Sequence, residues 1–212
     1  MLTIFHRLLA LARKWRYPGS IRYWERRYAR GGNSGPGSTG RLAAYKAEWL
    51  NRFVRENNIR KIAEFGCGDG RQLQLAAYPE YLGLDIAPSA VKRCAELFSE
   101  DNSKQFRHYD PFNFDPATAR AGLVLSLEVL FHLTEETIYR LYLEHLFAAS
   151  DRWVVIFAPN EPDCTGGQFP HVRIREFTKD VPAGWQLRHR EANPHRDISM
   201  SDFFVFETIS DL

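Results

Sequence analysis

Apolar and polar positions change their period several times along this 212-residue chain. Leu2, Phe5, Leu8, Leu9, Ala12 and Trp15 recur at i, i+3 and i+4 spacing, which predicts an amphipathic helix that Pro18-Gly19 ends. "SIRYWERRYAR" keeps a helical pattern until the Gly/Ser-rich stretch 31–40 breaks it. Residues 41–57 resume a helix, with Leu42, Tyr45, Trp49, Leu50 and Phe53 on one face. From there the chain alternates. "RKIAEFG", "YLGLDI", "KQFRHYD", "GLVLSLEV" and "RWVVIFA" have the length and apolar content of buried strands. "RQLQLAAY", "SAVKRCAELF" and "EETIYRLYLEHLFAAS" read as helices between them, Ser89 being available as an N-cap after Pro88. Such alternation predicts an α/β domain with a parallel sheet and helices on both faces. Past residue 159 the pattern turns rich in Pro, Gly and charge. It ends in two further strands, "WQLRHREA" and "DFFVFETIS", whose tight link "NPHRD" makes them antiparallel. The expected fold is therefore a mostly parallel seven-stranded sheet with a C-terminal antiparallel hairpin and an N-terminal helical extension. Residues 1–40 form the N-terminal amphipathic helix and Gly/Ser-rich flap, and residues 41–212 the body.

Composition adds one feature. Apolar residues make up 44% and charged residues 25%, as in ordinary globular chains. The net charge of +2 is unevenly placed: residues 1–30 hold eight basic side chains against Glu25 alone, a net of +7 that leaves −5 for the rest. A basic, apolar N-terminal helix packs on the body, meets a second copy of the chain, or lies on an anionic membrane surface. Cys67, Cys94 and Cys164 form no C-x-x-C pair, which favours a reducing compartment. No apolar run reaches the ~18 residues of a membrane span, and no cleavage site follows the first helix. The expected location is the cytoplasm, with peripheral contact at the inner face of the membrane left open by the basic helix.

Two glycine-rich stretches compete as nucleotide binders. "GPGSTGRL" approaches the phosphate-cradling pattern but has Arg41 and Leu42 where Lys and Ser/Thr are needed, and no buried strand precedes it. "KIAEFGCGDGRQL" runs from a strand into Gly66, Gly68 and Gly70, where the backbone can turn sharply and expose N–H groups to a ligand. Its G-x-G-x-G spacing departs from the dinucleotide pattern G-x-G-x-x-G, which argues against a nicotinamide-dependent oxidoreductase. Asp85 closes the next strand, where a carboxylate accepts both hydroxyls of a ribose.

Taken in order, "EFGCGDG", "YLGLDIAPSAV", "YDPFNF" and "VLSLEVLFHL" resemble the class I S-adenosylmethionine-dependent methyltransferases over roughly residues 41–160. The resemblance implies a Rossmann-like fold, S-adenosylmethionine as cofactor and S-adenosylhomocysteine as product. It places Glu64 and the Gly66, Cys67, Gly68 and Gly70 turn at the methionine half, Asp85 on the ribose, and Ile86 against the adenine. Asp110 then faces the adenine amino group, Pro111 and Phe112 flank the ring, and Leu127 and Glu128 lie near the methionine amine and the methyl. One departure is that Gly122 stands where the family often has an acid opening the fourth strand. Blander readings stay open. Asp85 caps the following helix, Glu64 is a solvated strand-end charge, Asp110 forms a turn, Phe112 and Phe131 are core, and His132 is structural.

Methyl transfer is an in-line displacement, so alignment is the main requirement, and a base is needed only where the acceptor loses a proton. His132, just past the fourth strand, is the first candidate and His171 the second. His171, Arg173 and Arg175 alternate in "HVRIREF", a row that grips an anionic acceptor if extended or is otherwise a solvated edge. The Asn/Asp-Pro-Pro-aromatic motif of many base-modifying methyltransferases is absent after the fourth strand. The expected partner is a small-molecule acceptor, with no nucleic acid and no metal. "RRYARGGNSGPGSTGRLAAYKAEWLN" is also similar to a bacterial subgroup associated with surface polysaccharide or small-molecule modification, implying transfer to an oxygen of a sugar or sugar acid. The non-catalytic alternative is a cofactor-binding adaptor without transfer activity. By the same analogy Tyr28, Gly32, Ser34, Gly37, Ser38 and Gly40 form a flap over cofactor and acceptor, the alternative being a plain linker.

Overall fold

The computed structural model describes residues 17–165 and 169–209. The helix expected over residues 2–15 lies outside them. Among the described residues seven strands form one sheet, β1 (Lys61–Phe65), β2 (Glu80–Asp85), β3 (Lys104–His108), β4 (Ala121–Leu127), β5 (Ser150–Ala158), β8 (Trp185–Glu191) and β9 (Asp202–Thr208), while the short β6 (Cys164–Thr165) and β7 (Arg173–Ile174) pair apart from it. Their order is β3-β2-β1-β4-β5-β9-β8. The first five are parallel, and β9 pairs antiparallel with both β5 and β8. The mostly parallel sheet with a terminal antiparallel hairpin is the architecture that the sequence pattern predicts. Strand order reverses at β1, which lies between β2 and β4, and such a switch point opens a crevice at the carboxyl ends of the strands.

Alternation along the strands sorts side chains onto two faces. Ala63, Phe65, Val124, Val154, Ile156, Phe204 and Phe206 pack on one side with α4 (Glu136–Ala148), through Tyr139, Tyr142, Leu143 and Leu146. Ile62, Leu123, Leu125, Val155, Phe157, Phe203 and Val205 pack on the other with α2 (Gly40–Glu56), through Leu42, Trp49, Leu50 and Val54. Cys94 of α3 (Pro88–Leu97) joins this second face. Glu64, between Ala63 and Phe65, therefore points to the α2 side.

Two local expectations are corrected. "RQLQLAAY" forms only a 3-10 turn at Leu73–Leu75. Nine residues separate Gly70 from β2. Returning along a five-residue strand of about 17 Å takes about eleven residues of α-helix, so the chain runs back partly extended. Ser89 does not cap α3: Ala87 holds that position, Pro88 opens the helix, and Ser89 bonds Glu25 through its N–H (3.0 Å) and hydroxyl (2.6 Å).

Glu25 belongs to α1 (Ser20–Ala29), which packs across the carboxyl edge of the sheet. Its first turn is capped from outside. The Ser20 N–H donates to Glu135 Oε1 at 2.7 Å, and the Ser20 hydroxyl donates to the His132 carbonyl at 2.8 Å. A carboxylate there complements the helix N-terminus. Beneath α1, Arg93 donates to the Gly32 carbonyl (2.8 Å) and the Tyr28 carbonyl (3.3 Å). Residues 20–40 are thus fastened to the body at several points.

Candidate active site

The glycine turn after β1 is held against β2, since the Gly66 and Cys67 N–H groups both donate to the Leu84 carbonyl, at 2.7 and 3.0 Å. Gly66 and Gly68 have φ of +86° and +59°. A Cβ on Gly66 would meet Val129 at 2.4 Å, and one on Gly68 would meet Ser34 Oγ at 2.3 Å. Both positions demand glycine on conformational and steric grounds. Gly70 packs against Cys94 and Phe98 of the α3 region.

Asp85, at the end of β2, reaches this turn. Its Oδ2 accepts from the Gly68 N–H at 2.8 Å and its Oδ1 from the Ala87 N–H at 2.9 Å. The carboxylate thus pins the glycine turn and the N–H of Ala87, the residue just ahead of α3. Burial pushes its pKa up to about 6, against those two donors. Each carboxylate oxygen keeps a second lone pair, which fits the two hydroxyls of a ribose.

A cleft of about 470 Å³, counted to its open mouth, lies between Gly66, Asp85 and Ile86 on one side and Val129, His132 and Leu133 on the other. Tyr109 and Tyr142 form its inner wall, and Trp24 and Tyr28 of α1 cover it. Tyr28, Gly66, Asp85, Ile86 and His132, all named from the sequence, line this one cleft. His132 Nδ1 lies 3.1 Å from the His171 carbonyl, which makes that nitrogen the protonated one. Desolvation pushes its pKa down to about 4, so at neutral pH the ring is neutral with its Nε2 lone pair free of the proton. The two imidazoles stack at 5.6 Å, and His171 stacks on Tyr23 at 4.6 Å. Trp24 meets His132 edge-on at 4.8 Å.

On the α2 side of the same strand ends stand Glu64, Leu127 and Glu128. Glu64 is buried and accepts from the Tyr81 hydroxyl at 2.6 Å, and burial raises its pKa to about 7. It is not a solvated charge. Glu128 has φ of +59°, an uncommon conformation for a residue with a side chain and one that gathers at functional sites. Its N–H donates to the Phe157 carbonyl at 2.7 Å, its Oε1 accepts from Ser199 at 2.6 Å and Ser201 at 3.3 Å, and its Oε2 lies 3.7 Å from Lys46 Nζ.

The flap meets the turn directly. Ser34 Oγ donates to Asp69 Oδ1 at 2.8 Å and lies 3.1 Å from the Tyr28 hydroxyl, while a Cβ on Gly37 would overlap the Glu128 carboxylate. Ser38 lies in the adjoining 3-10 turn, Pro36–Ser38. Gly32 and Gly40 bound the segment.

Other expected site residues do not line that cleft. Asp110 Oδ1 accepts from the Phe112 N–H at 3.0 Å, the turn that the sequence also allowed. Pro111 is buried and Phe112 is 64% exposed, so Phe112 is not core. Arg173 and Arg175 present no free anion-gripping row. Arg173 pairs with Asp163 (2.7 Å) and Glu136 (3.1 Å). Arg175 is buried, donates to the Leu133 carbonyl at 2.8 Å, and lies over the Tyr139 ring at 4.1 Å. Both are consumed in fastening the strand β7 (Arg173–Ile174), paired with β6 (Cys164–Thr165), to the start of α4. Among the described residues, no group of three or more His, Cys, Asp or Glu is arranged to hold a metal ion.

Residues 62–149 match the family model described as a methyltransferase domain. That match spans less than half of the chain and shows a methyltransferase domain over those residues. The fold agrees with that of several solved methyltransferases. The N-methyltransferase NodS from Bradyrhizobium japonicum, in complex with S-adenosylhomocysteine, superposes with a TM-score of 0.71 at 16% identity, covering 91% of this chain and all of that one. Magnesium protoporphyrin IX methyltransferase from Synechocystis gives 0.58 at 20% identity, covering 78% of this chain and 83% of that one. A curated small RNA 2'-O-methyltransferase from Arabidopsis thaliana is 26% identical over 132 residues, which span 56% of this chain and only 14% of that protein. The family's cofactor is S-adenosylmethionine, and the glycine turn with Asp85 fits its adenosine part.

Sequence reasoning missed Lys46, Trp24, Asp69, Tyr109 and Ser199. A signal existed for one of them: Lys46 falls at i+4 from Leu42 and i−4 from Leu50, inside the apolar stripe of α2.

Proposed function

We propose that this methyltransferase transfers the methyl group to an oxygen of a small polar acceptor, in the class of sugars and sugar acids, with His132 taking the acceptor's proton. The observation that carries this reading is the His132 tautomer. Nδ1–H is committed to the His171 carbonyl, and Nε2 is left as an acceptor in the cleft that Gly66 and Asp85 line. S-adenosylmethionine, when bound, supplies an electrophilic methyl on a positively charged sulfur. Asp85 and the glycine turn fix the adenosine end, and Glu64 and Glu128 stand at the methionine end. The α1 side chains Trp24 and Tyr28 exclude water from the cleft. A ring with a pKa near 4 is too weak a base to ionise a hydroxyl in advance. It is sufficient once the C–O bond begins to form, because the acceptor oxygen then becomes strongly acidic. His132 therefore accepts the proton during displacement, and His171 positions it through its carbonyl.

A second reading is a ribose hydroxyl of RNA, which the similarity to the plant small RNA enzyme favours. Radiolabelled S-adenosylmethionine, offered with a panel of sugars, uronic acids, amines and short RNAs, separates the two. Label on a sugar or sugar-acid oxygen supports the first reading. Label confined to RNA supports the second, and label confined to amines sinks both. The contact of residues 1–16 with a membrane or a second copy belongs to this proposal as well, and no described helix is long and apolar enough to cross a membrane.

A further inference from the structure

Arg173 and Arg175 do not form the anion grip that their spacing predicts, and a different arginine stands at the rim of the cleft. Arg27 lies one helical turn after Tyr23 on α1, and its guanidinium is over the Trp24 ring, 5.5 Å from the centroid. Trp24 covers the cleft, and the same ring meets His132 edge-on at 4.8 Å. Tyr23 in turn stacks on His171 at 4.6 Å. One cation and two imidazoles therefore share the rim. Desolvation pushes the pKa of both histidines down, and the Arg27 charge acts in the same direction. The guanidinium is the fixed positive charge there.

Its partners are few. Arg27 Nε donates to the Asn33 carbonyl at 2.6 Å, and Nη1 reaches the Tyr23 hydroxyl at 3.5 Å, beyond the usual hydrogen-bond length. Among the described residues Arg27 forms no ion pair, whereas Arg173 and Arg175 both meet carboxylates. It is half-buried, so part of its hydration is lost without a counter-charge. With Nε spent on the flap backbone, the edge formed by Nη1 and Nη2 is left, and that fork matches the two oxygens of a carboxylate. The arm is held in place. Asn33 Oδ1 accepts from the Gly35 N–H at 2.9 Å, and a Cβ on Gly32 would meet the Arg27 carbonyl oxygen at 2.6 Å and its Cγ at 2.8 Å.

A sugar acid carries its carboxylate on the same small ring as its hydroxyls. One such molecule can meet a cation and a proton acceptor that flank a single indole. We infer that Arg27 is the binding site for a carboxylate on the methyl acceptor, and that the enzyme selects sugar acids over neutral sugars. The inference rests on reading the acceptor as a sugar or sugar acid with His132 as its base.

Matched pairs of acceptors, D-glucuronate with D-glucose and D-galacturonate with D-galactose, test the assignment with labelled S-adenosylmethionine and the full chain. Wild type should turn over a uronate with kcat/KM at least about tenfold above its neutral partner, the scale of a charge-assisted hydrogen bond. Arg27→Met should bring that ratio close to one, chiefly through a higher KM for the uronate. Arg27→Lys keeps the charge without the fork and should recover part of the ratio. S-adenosylhomocysteine affinity, measured by calorimetry, should stay within about twofold of wild type in both variants. A neutral sugar turned over as well as its uronate by wild type, or an unchanged ratio in Arg27→Met, would overturn the inference alone. A loss of S-adenosylhomocysteine affinity as large as the loss of uronate turnover would overturn it in favour of a role in the cofactor site or the fold. Label on none of the four acceptors would overturn the acceptor reading and the inference together.

Discussion

Ser34 and Asp69, 35 positions apart, lock the flap to the glycine turn by two reciprocal contacts: the Ser34 hydroxyl donates to Asp69 Oδ1 at 2.8 Å, and the Asp69 N–H donates to Ser34 Oγ at 3.0 Å. The Ser34 N–H adds a third bond, to Asp69 Oδ2 at 3.1 Å. Removing the hydroxyl in Ser34→Ala should loosen the flap by about 1–2 kcal/mol. Amide exchange across residues 31–40 should then accelerate roughly five- to thirtyfold by mass spectrometry, with little change in Tm, because the flap opens locally. Unchanged exchange would show that the contact does not hold the flap.

Asp85 sets a pH dependence. Its ordinary pKa of 3.8 is raised to about 6 by burial, and in the proposed site the ribose hydroxyls would donate to its ionised form. Affinity for S-adenosylhomocysteine should be flat above that value and fall about tenfold per pH unit below it. Asp85→Asn should remove that break. Titrations between pH 5 and 8 decide it.

Glu64 makes the opposite demand on stability. Its pKa is raised from 4.5 to about 7, so the folded state holds this proton more tightly than the unfolded state. The stability this proton contributes is complete below 4.5 and is lost as pH rises through 7. Glu64→Gln keeps an acceptor for the Tyr81 hydroxyl without the buried charge. The variant should exceed wild type by about 2–3 kcal/mol at pH 8, and this advantage should vanish near pH 4.5, in urea unfolding. A variant less stable than wild type at pH 8 would refute the assignment.

His132→Asn should lower kcat by about 10²–10³ while S-adenosylhomocysteine affinity stays within about twofold, if the ring acts only on the acceptor proton. With a ring pKa near 4, wild-type kcat should be flat from pH 6 to 8. A variant that keeps its kcat would remove His132 from the reaction.

The sheet, the turn and Asp85 were legible because each is written locally: an apolar run, three glycines at fixed spacing, an acid at a strand end. His132 could be placed at the carboxyl edge by position alone. Its tautomer could not, since it depends on a carbonyl 39 residues away. Lys46 meets Glu128 across 82 positions and Ser199 meets it across 71, and no periodicity links such segments. Arg173 and Arg175 had the spacing of an anion grip, but Asp163, Glu136 and the Leu133 carbonyl claim them only after folding. The missing helix after Gly70 was a matter of length, which nine residues could have signalled.

Binding of S-adenosylhomocysteine to wild type and Asp85→Ala, measured by calorimetry at pH 7.5, bears most directly on the site. The wild-type chain should bind, and Asp85→Ala should lose about 1.5–3 kcal/mol as two charge-assisted hydrogen bonds are removed. Equal affinity of the two proteins, or binding of NADH in place of S-adenosylhomocysteine, would contradict the account.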